Sequence, residues 1–146
     1  MWRHQALGEG DEGLVPLHKL VQWLLRSLVE PLAMAGVELV GLDRLTPLAD
    51  YRNAGLLLDV GALRLCDASE ASATHAVSSE LVVEWRALSV AILAELYARL
   101  GSGVGDPGQR SGLFDTASWL AGRTIAARLR EGAPPPILVE SDGTVF

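Results

Sequence analysis

The 146-residue chain is short of the residues that usually announce covalent stabilisation or metal chemistry. Its single cysteine, Cys66, excludes an internal disulfide and fits a reducing, cytoplasmic setting. The three histidines, His4, His18 and His75, are too widely spaced, with Cys66, to form a zinc site, and no metal or organic cofactor is implied. Positive charge is also scarce: 12 Lys and Arg stand against 18 Asp and Glu, a formal net charge of −6. A nucleic-acid binder needs a basic face, so that class is excluded. No apolar run is free of charge for the roughly 20 residues that a bilayer requires. The most hydrophobic stretch, Leu14 to Leu42, carries Lys19, Arg26, Glu30, Pro31 and Glu38, and is expected to be buried helix rather than a membrane span. The opening Met1-Trp2-Arg3-His4-Gln5 is followed by an acidic, Gly-rich stretch instead of the apolar core of a signal peptide. Walker loops, GxSxG elbows and HExxH pairs are absent.

Apolar residues make up 49% of the chain, which is high for a domain of this size and predicts that part of the apolar surface is meant to be covered. A long helix is expected from Leu14 to Ala35, with Pro16 in its first turn, Pro31 kinking or restarting it and Gly36 ending it. Its apolar residues, from Leu17 to Leu28, cover more than half the circumference, so an exposed apolar patch is expected there. Asp50 is placed to cap a helix running from Tyr51 to about Leu58, and residues 67–74 read as a loop. A second strong helix is expected over Glu80 to Leu100, with Leu81, Trp85, Leu88, Ile92, Leu96 and Leu100 as its apolar positions. Residues 101–112 read as a flexible linker, Leu113 to Arg130 as a helix, Ile137 to Val139 as a strand and residues 141–144 as a tight turn. The fold class is mainly α, a single helical domain over residues 1–146.

Three polar clusters interrupt the apolar elements. Lys19, Gln22 and Arg26, beside His18, share one helical stripe. The stripe reads either as an anion- or ribose-contacting face or as a solvated side. Asp43 and Asp50 flank a turn ahead of Tyr51, Arg52 and Asn53; Asp50 reads as a helix cap or as the fixed anion opposite an oxocarbenium-like centre. Glu80, Glu84 and Arg86 form the third cluster, with Arg86 expected to reach another element such as the Asp43–Asp50 loop. Trp85 and Trp119 suit either the core or base stacking.

The segments GLVPLHKLVQWLLRSLVEPLAMAGV, GLDRLTPLADYRNAGLLLDVGALRL, SSELVVEWRALSVAIL and SDGTVF resemble the uracil-catabolism protein four family, also called the Urg-three family. The order of HKLVQ, LTPLADYRN, ELVVEWRA and FDTASWLAG is more weakly similar to the queuosine-salvage nucleotide N-glycosidases, helical proteins related in shape to DNA glycosylases. The first resemblance implies a role in uracil and pyrimidine degradation and a chain that matches the C-terminal part of a longer architecture. The second implies N-glycosidase-type hydrolysis of a ribosyl-urea or uracil ribosyl derivative. By position it carries a catalytic role to Asp50, with Asp43 as the nearest match to a second aspartate, and a substrate-binding role to Lys19. Tyr51, Arg52, Glu84, Arg86 and Trp119 complete the expected substrate-binding set. A uracil phosphoribosyltransferase is disfavoured, because the acid pair and Gly-rich phosphate loop of that chemistry are missing. The alternative is a non-catalytic helical scaffold or regulatory subunit of the same pathway. The expected partners are a small ribosylated substrate and either a second copy or a preceding N-terminal segment. Without that segment, the 146 residues are expected to be inactive.

Overall fold

The computed structural model describes residues 1–100 and 107–146. Four helices dominate: α1 (Lys19–Met34), α2 (Tyr51–Asp59), α3 (Glu80–Leu100) and α4 (Pro107–Leu129). Short strands decorate them. β1 (Trp2–Arg3) pairs antiparallel with β2 (Leu14–Val15), and β3 (Thr74–Ala76) pairs parallel with β4 (Leu138–Glu140). The mainly α class therefore holds. Among the described residues no helix is long and apolar enough to cross a membrane.

The start of α1 departs from expectation. Leu14 and Val15 are drawn into β2 by Arg3 and Trp2, and Leu17 is buried before the helix begins at Lys19. The helix also runs through Pro31 to Met34 instead of breaking. Gly36 ends it as expected. At φ +78° it donates to Ala33 O while Val37 donates to Leu32 O, the double bond of a Schellman cap.

Helix α2 begins where Asp50 caps it: Asp50 Oδ1 accepts the Arg52 N–H at 2.8 Å. Its C-terminal carboxylate, Asp59, would oppose the helix dipole, and a bidentate Arg130 at 2.7 Å compensates it. Helix α4 packs closely on α2 at Gly122, where a Cβ would overlap the Arg52 carbonyl oxygen. This contact fixes Arg52 against α4.

The span expected for α3 is observed, but its buried face is not the expected one. Val82, Val83, Trp85, Arg86, Ser89 and Leu93 are buried, whereas Leu88, Leu96 and Leu100 are exposed. The helix is apolar nearly all round, so periodicity alone does not select a side. One core cluster joins Ala54, Val82, Trp85, Ile137 and Phe146; a second joins Val15, Leu17, Ala49 and Val83. Trp85 belongs to the first, donating its indole N–H to Ala54 O.

The expected linker is corrected in its second half: α4 begins at Pro107, so residues 107–112 are helical, while 101–106 lie outside the described residues. The expected loop at 67–74 holds a 3-10 turn at Ala68–Ser72 and leads into β3. β4 confirms a strand near Ile137–Val139, shifted by one residue.

Candidate functional site

The polar stripe of α1 faces inward. The Lys19 and Arg26 side chains are only 11% and 12% exposed, and each meets a buried aspartate. Lys19 Nζ lies 2.6 Å from Asp50 Oδ2, and Arg26 Nε lies 2.8 Å from Asp115 Oδ2. Between them, Gln22 donates to Thr46 Oγ1 and to Pro47 O. The solvated reading of this stripe is thus set aside. The opposite side of α1 is apolar and open: Leu20, Val21, Trp23, Leu24, Leu25 and Leu28 are all exposed. The exposed patch expected from the sequence is present.

Around Asp50 the expected residues converge. One carboxylate oxygen caps α2 and the other holds Lys19, which also donates to Gly143 O at 2.7 Å. Tyr51 offers its ring to two cations, Lys19 Nζ at 5.6 Å and Arg52 Cζ at 4.7 Å from the centroid. Arg52 donates to Ala133 O at 2.6 Å. A cavity of about 340 Å³ opens beside them, with Tyr51, Arg52, Ala133, Ser141, Asp142 and Gly143 in its wall. The Asp142 carboxyl is held below its ordinary range by the Thr144 hydroxyl and N–H, with a smaller contribution from Lys19. The hairpin-like turn after β4 thereby brings backbone oxygen and carboxylate to the lysine.

A second polar centre was not singled out from the sequence. Asp115 on α4 accepts the Leu48 N–H at 3.0 Å and the Tyr97 hydroxyl at 3.2 Å in addition to its contact with Arg26. Asn53 of α2 donates to Asp115 O and to Ser118 Oγ, closing the network. Burial pushes the Asp115 carboxyl up; Arg26 opposes this, and the Asp50 charge adds to it. Burial likewise pushes the Tyr97 hydroxyl up, reinforced by Asp115. The available signal was an aspartate within FDTASWLAG, an otherwise apolar helical frame. Asp115 forms one wall of a cavity of about 450 Å³ that also includes Trp23, Arg26 and Trp119.

The remaining expected residues are dispersed. Asp43 is exposed on a 3-10 turn at Leu42–Arg44 and borders a different cavity, beside Tyr97 and Arg110. Glu84 is exposed on α3, 3.9 Å from His4 Nε2, and borders a groove with Arg64 and Leu88. Arg86 does not reach the Asp43–Asp50 loop. It is fully buried, donates to Val145 O at 2.7 Å and lies over the rings of Trp2 and Phe146 at 5.3 and 5.0 Å. Burial lowers its pKa to about 10. The aromatic tail residue and β1 provide its nearest partners, and these lie outside the helical periodicity that suggested the loop. Trp119 is half-buried, with Arg123 over its ring at 5.6 Å. Among the described residues no three His, Cys, Asp or Glu side chains gather as a metal site would require.

No solved structure matches the chain. The chain is 39% identical over 141 residues to Protein urg3 of Schizosaccharomyces pombe, and the match covers 92% of the chain and 35% of that protein. It is 35% identical over 153 residues to Uracil catabolism protein 4 of Lachancea kluyveri, with 92% of the chain and 35% of the relative covered. The chain thus spans about a third of the length of the curated relatives it matches. Both relatives agree with the uracil-catabolism resemblance of the separated sequence blocks, and the family described as "Protein of unknown function (DUF1688)" matches residues 1–146, so the chain belongs to that family.

Proposed function

We propose that this chain is part of a cytoplasmic uracil-catabolism protein that hydrolyses an N-glycosidic bond in a ribosyl-urea or uracil ribosyl derivative. The observation that carries this reading is the buried Lys19–Asp50 pair, whose neighbours Tyr51, Arg52 and Gly143 line a cavity. The printed names of the relatives support the pathway. In the reaction, the bond between ribose C1 and the departing nitrogen breaks, and water oxygen bonds to C1. The nitrogen leaves with a proton, and the water proton passes to a carboxylate or to solvent. Positive charge builds on the sugar as the bond opens, and a fixed anion opposite it lowers the barrier. Asp50 has that role. In this scheme Lys19 transfers to a ribose or phosphate oxygen of the substrate, leaving the Asp50 carboxylate to face the sugar, while Arg52 holds the other end.

The test uses a full-length relative with ribosyl-urea, uridine and their 5′-phosphates, reading released ribose. Release that disappears in Asp50→Asn is expected, because Asn retains the cap but removes the charge. No release from any of the four, or a fully active Asp50→Asn, overturns the reading. One observation favours a second reading, that of a scaffold: the open apolar face of α1 suits packing against another polypeptide, either a second copy or a further region of the protein. Light scattering of the 146-residue chain decides it, with a clean monomer counting against.

A further inference from the structure

Asp50 stands at the end of a stretch without regular structure, residues 45–50, which joins the 3-10 turn at Leu42–Arg44 to α2. Such a stretch has no helix or sheet ladder to hold it, so the place of its backbone depends on individual hydrogen bonds. Helix α4 supplies them on both sides of Asp50. Ahead of it, Asp115 Oδ1 accepts the Leu48 N–H at 3.0 Å, and Leu48 O accepts the Asp50 N–H at 2.9 Å. Leu48 thus links the Asp115 carboxylate to the backbone of Asp50 through its own N–H and C=O. Beyond Asp50, Asn53 donates to Asp115 O at 3.3 Å and to Ser118 Oγ at 3.1 Å. Leu48, Asn53, Asp115 and Ser118 are all buried, so water has little access to replace these bonds. Asp115 is fully engaged: Oδ1 also takes the Tyr97 hydroxyl, and the buried Oδ2 lies against Arg26. Arg26 in turn donates to Thr46 O, so α1 and α4 grip the same stretch.

A cap alone does not require this. The bond from Arg52 N–H to Asp50 Oδ1 starts α2, whereas the two anchors from α4 determine where the carboxylate stands. We propose that Asp115 is a positioning residue for Asp50, setting through Leu48 the place of the Asp50 carboxylate relative to Lys19 and to the sugar. Its effect on turnover rests on the hydrolase reading; its effect on the Asp50 geometry does not. Asp115 touches neither the sugar nor the attacking water and acts only through the backbone.

The test compares Asp115→Leu, which gives Leu48 N–H no acceptor, with Asp115→Asn, whose amide oxygen keeps one. Its first arm needs no substrate. In the 146-residue chain, NMR follows the Arg52 amide, which is bonded to Asp50 Oδ1. Asp115→Leu should shift that resonance and speed its hydrogen exchange by roughly tenfold, the worth of about one hydrogen bond. Asp115→Asn should stay close to the parent. If Asp115→Leu fails to fold, the Arg26→Met/Asp115→Leu double variant takes its place, because it strands no charge. The second arm uses a full-length relative and ribose release. Asp115→Leu at the matching position should lower kcat about 100-fold, the cost of misplacing a reacting group by about 1 Å, with KM within about twofold. Asp115→Asn should recover kcat to within about tenfold of the parent, a rescue that lost stability alone does not predict. An Arg52 amide unmoved in Asp115→Leu, an Asp115→Asn that behaves as Asp115→Leu, or an active relative whose kcat ignores Asp115→Leu overturns the proposal. Absence of ribose release from the parent, with the Arg52 amide responding as expected, overturns the hydrolase reading and supports the positioning of Asp50.

Discussion

Helices α1 and α3 both place an arginine against the interior, and they do so by opposite means. Arg26 of α1 meets a carboxylate, and Lys19 one end of the helix away meets another. No residue of α1 is fully buried, and its apolar side is open. Arg86 of α3 is fully buried, with two aromatic rings and one carbonyl around it, and its Nε and Nη1 find no hydrogen-bond acceptor among the described residues. Helix α3 is held by apolar packing that tolerates one costly cation. Helix α1 is held by ion pairs and hydrogen bonds, with little apolar burial of its own. The lesson is that amphipathicity identifies two sides of a helix without saying which one faces in.

That contrast can be broken most strongly at Asp115. Asp115→Ala removes the carboxylate against Arg26 and frees the Leu48 N–H and Tyr97 hydroxyl, so a loss of about 3 kcal/mol is expected. Urea unfolding measures it, and hydrogen exchange should show α1 losing protection before α3. Next come the two arginines. Arg26→Met should cost about 3 kcal/mol, because it leaves Asp115 uncompensated, while Arg86→Met should stay within about 1 kcal/mol of the parent. Equal losses at the two positions would erase the distinction.

A smaller effect follows from pH. Burial raises the Asp115 pKa above its unfolded value, so between those values the folded chain binds more protons than the unfolded one. Stability from this group therefore falls as pH rises through that window. The stability of Asp115→Asn relative to the parent should improve from about pH 4 to about pH 7, as read by thermal melts across that range. The smallest effect is expected on the open side of α1. Leu24→Gln should change the stability of the isolated chain by no more than about 0.5 kcal/mol, since Leu24 is already 57% exposed. A larger loss would mean that the apolar side is covered in solution.

What was legible in the sequence was mostly local. The Asp50 cap, the Gly36 stop and the span of α3 depend on neighbours within a few residues, and all three are observed. The start of α1 was not legible, because Trp2 and Arg3 recruit Leu14 and Val15 from a distance. The resemblance pointed to Lys19 and Asp50 separately and not to their contact, and the stripe alone favoured solvent. Asp115 escaped because its partners lie on α1, the segment before α2 and α3, and no spacing along the chain links them.

Gly122 carries a mechanical consequence. The α4 backbone rests on the Arg52 carbonyl with no side chain between, so there is no compressible material at that point. Any inward displacement of the first turn of α2 must be transmitted to α4 as a whole-helix movement. Asp115 and Trp119 ride on the same helix, one to two turns away. The turn that carries Arg52 and the helix that carries Asp115 and Trp119 therefore share one unpadded contact.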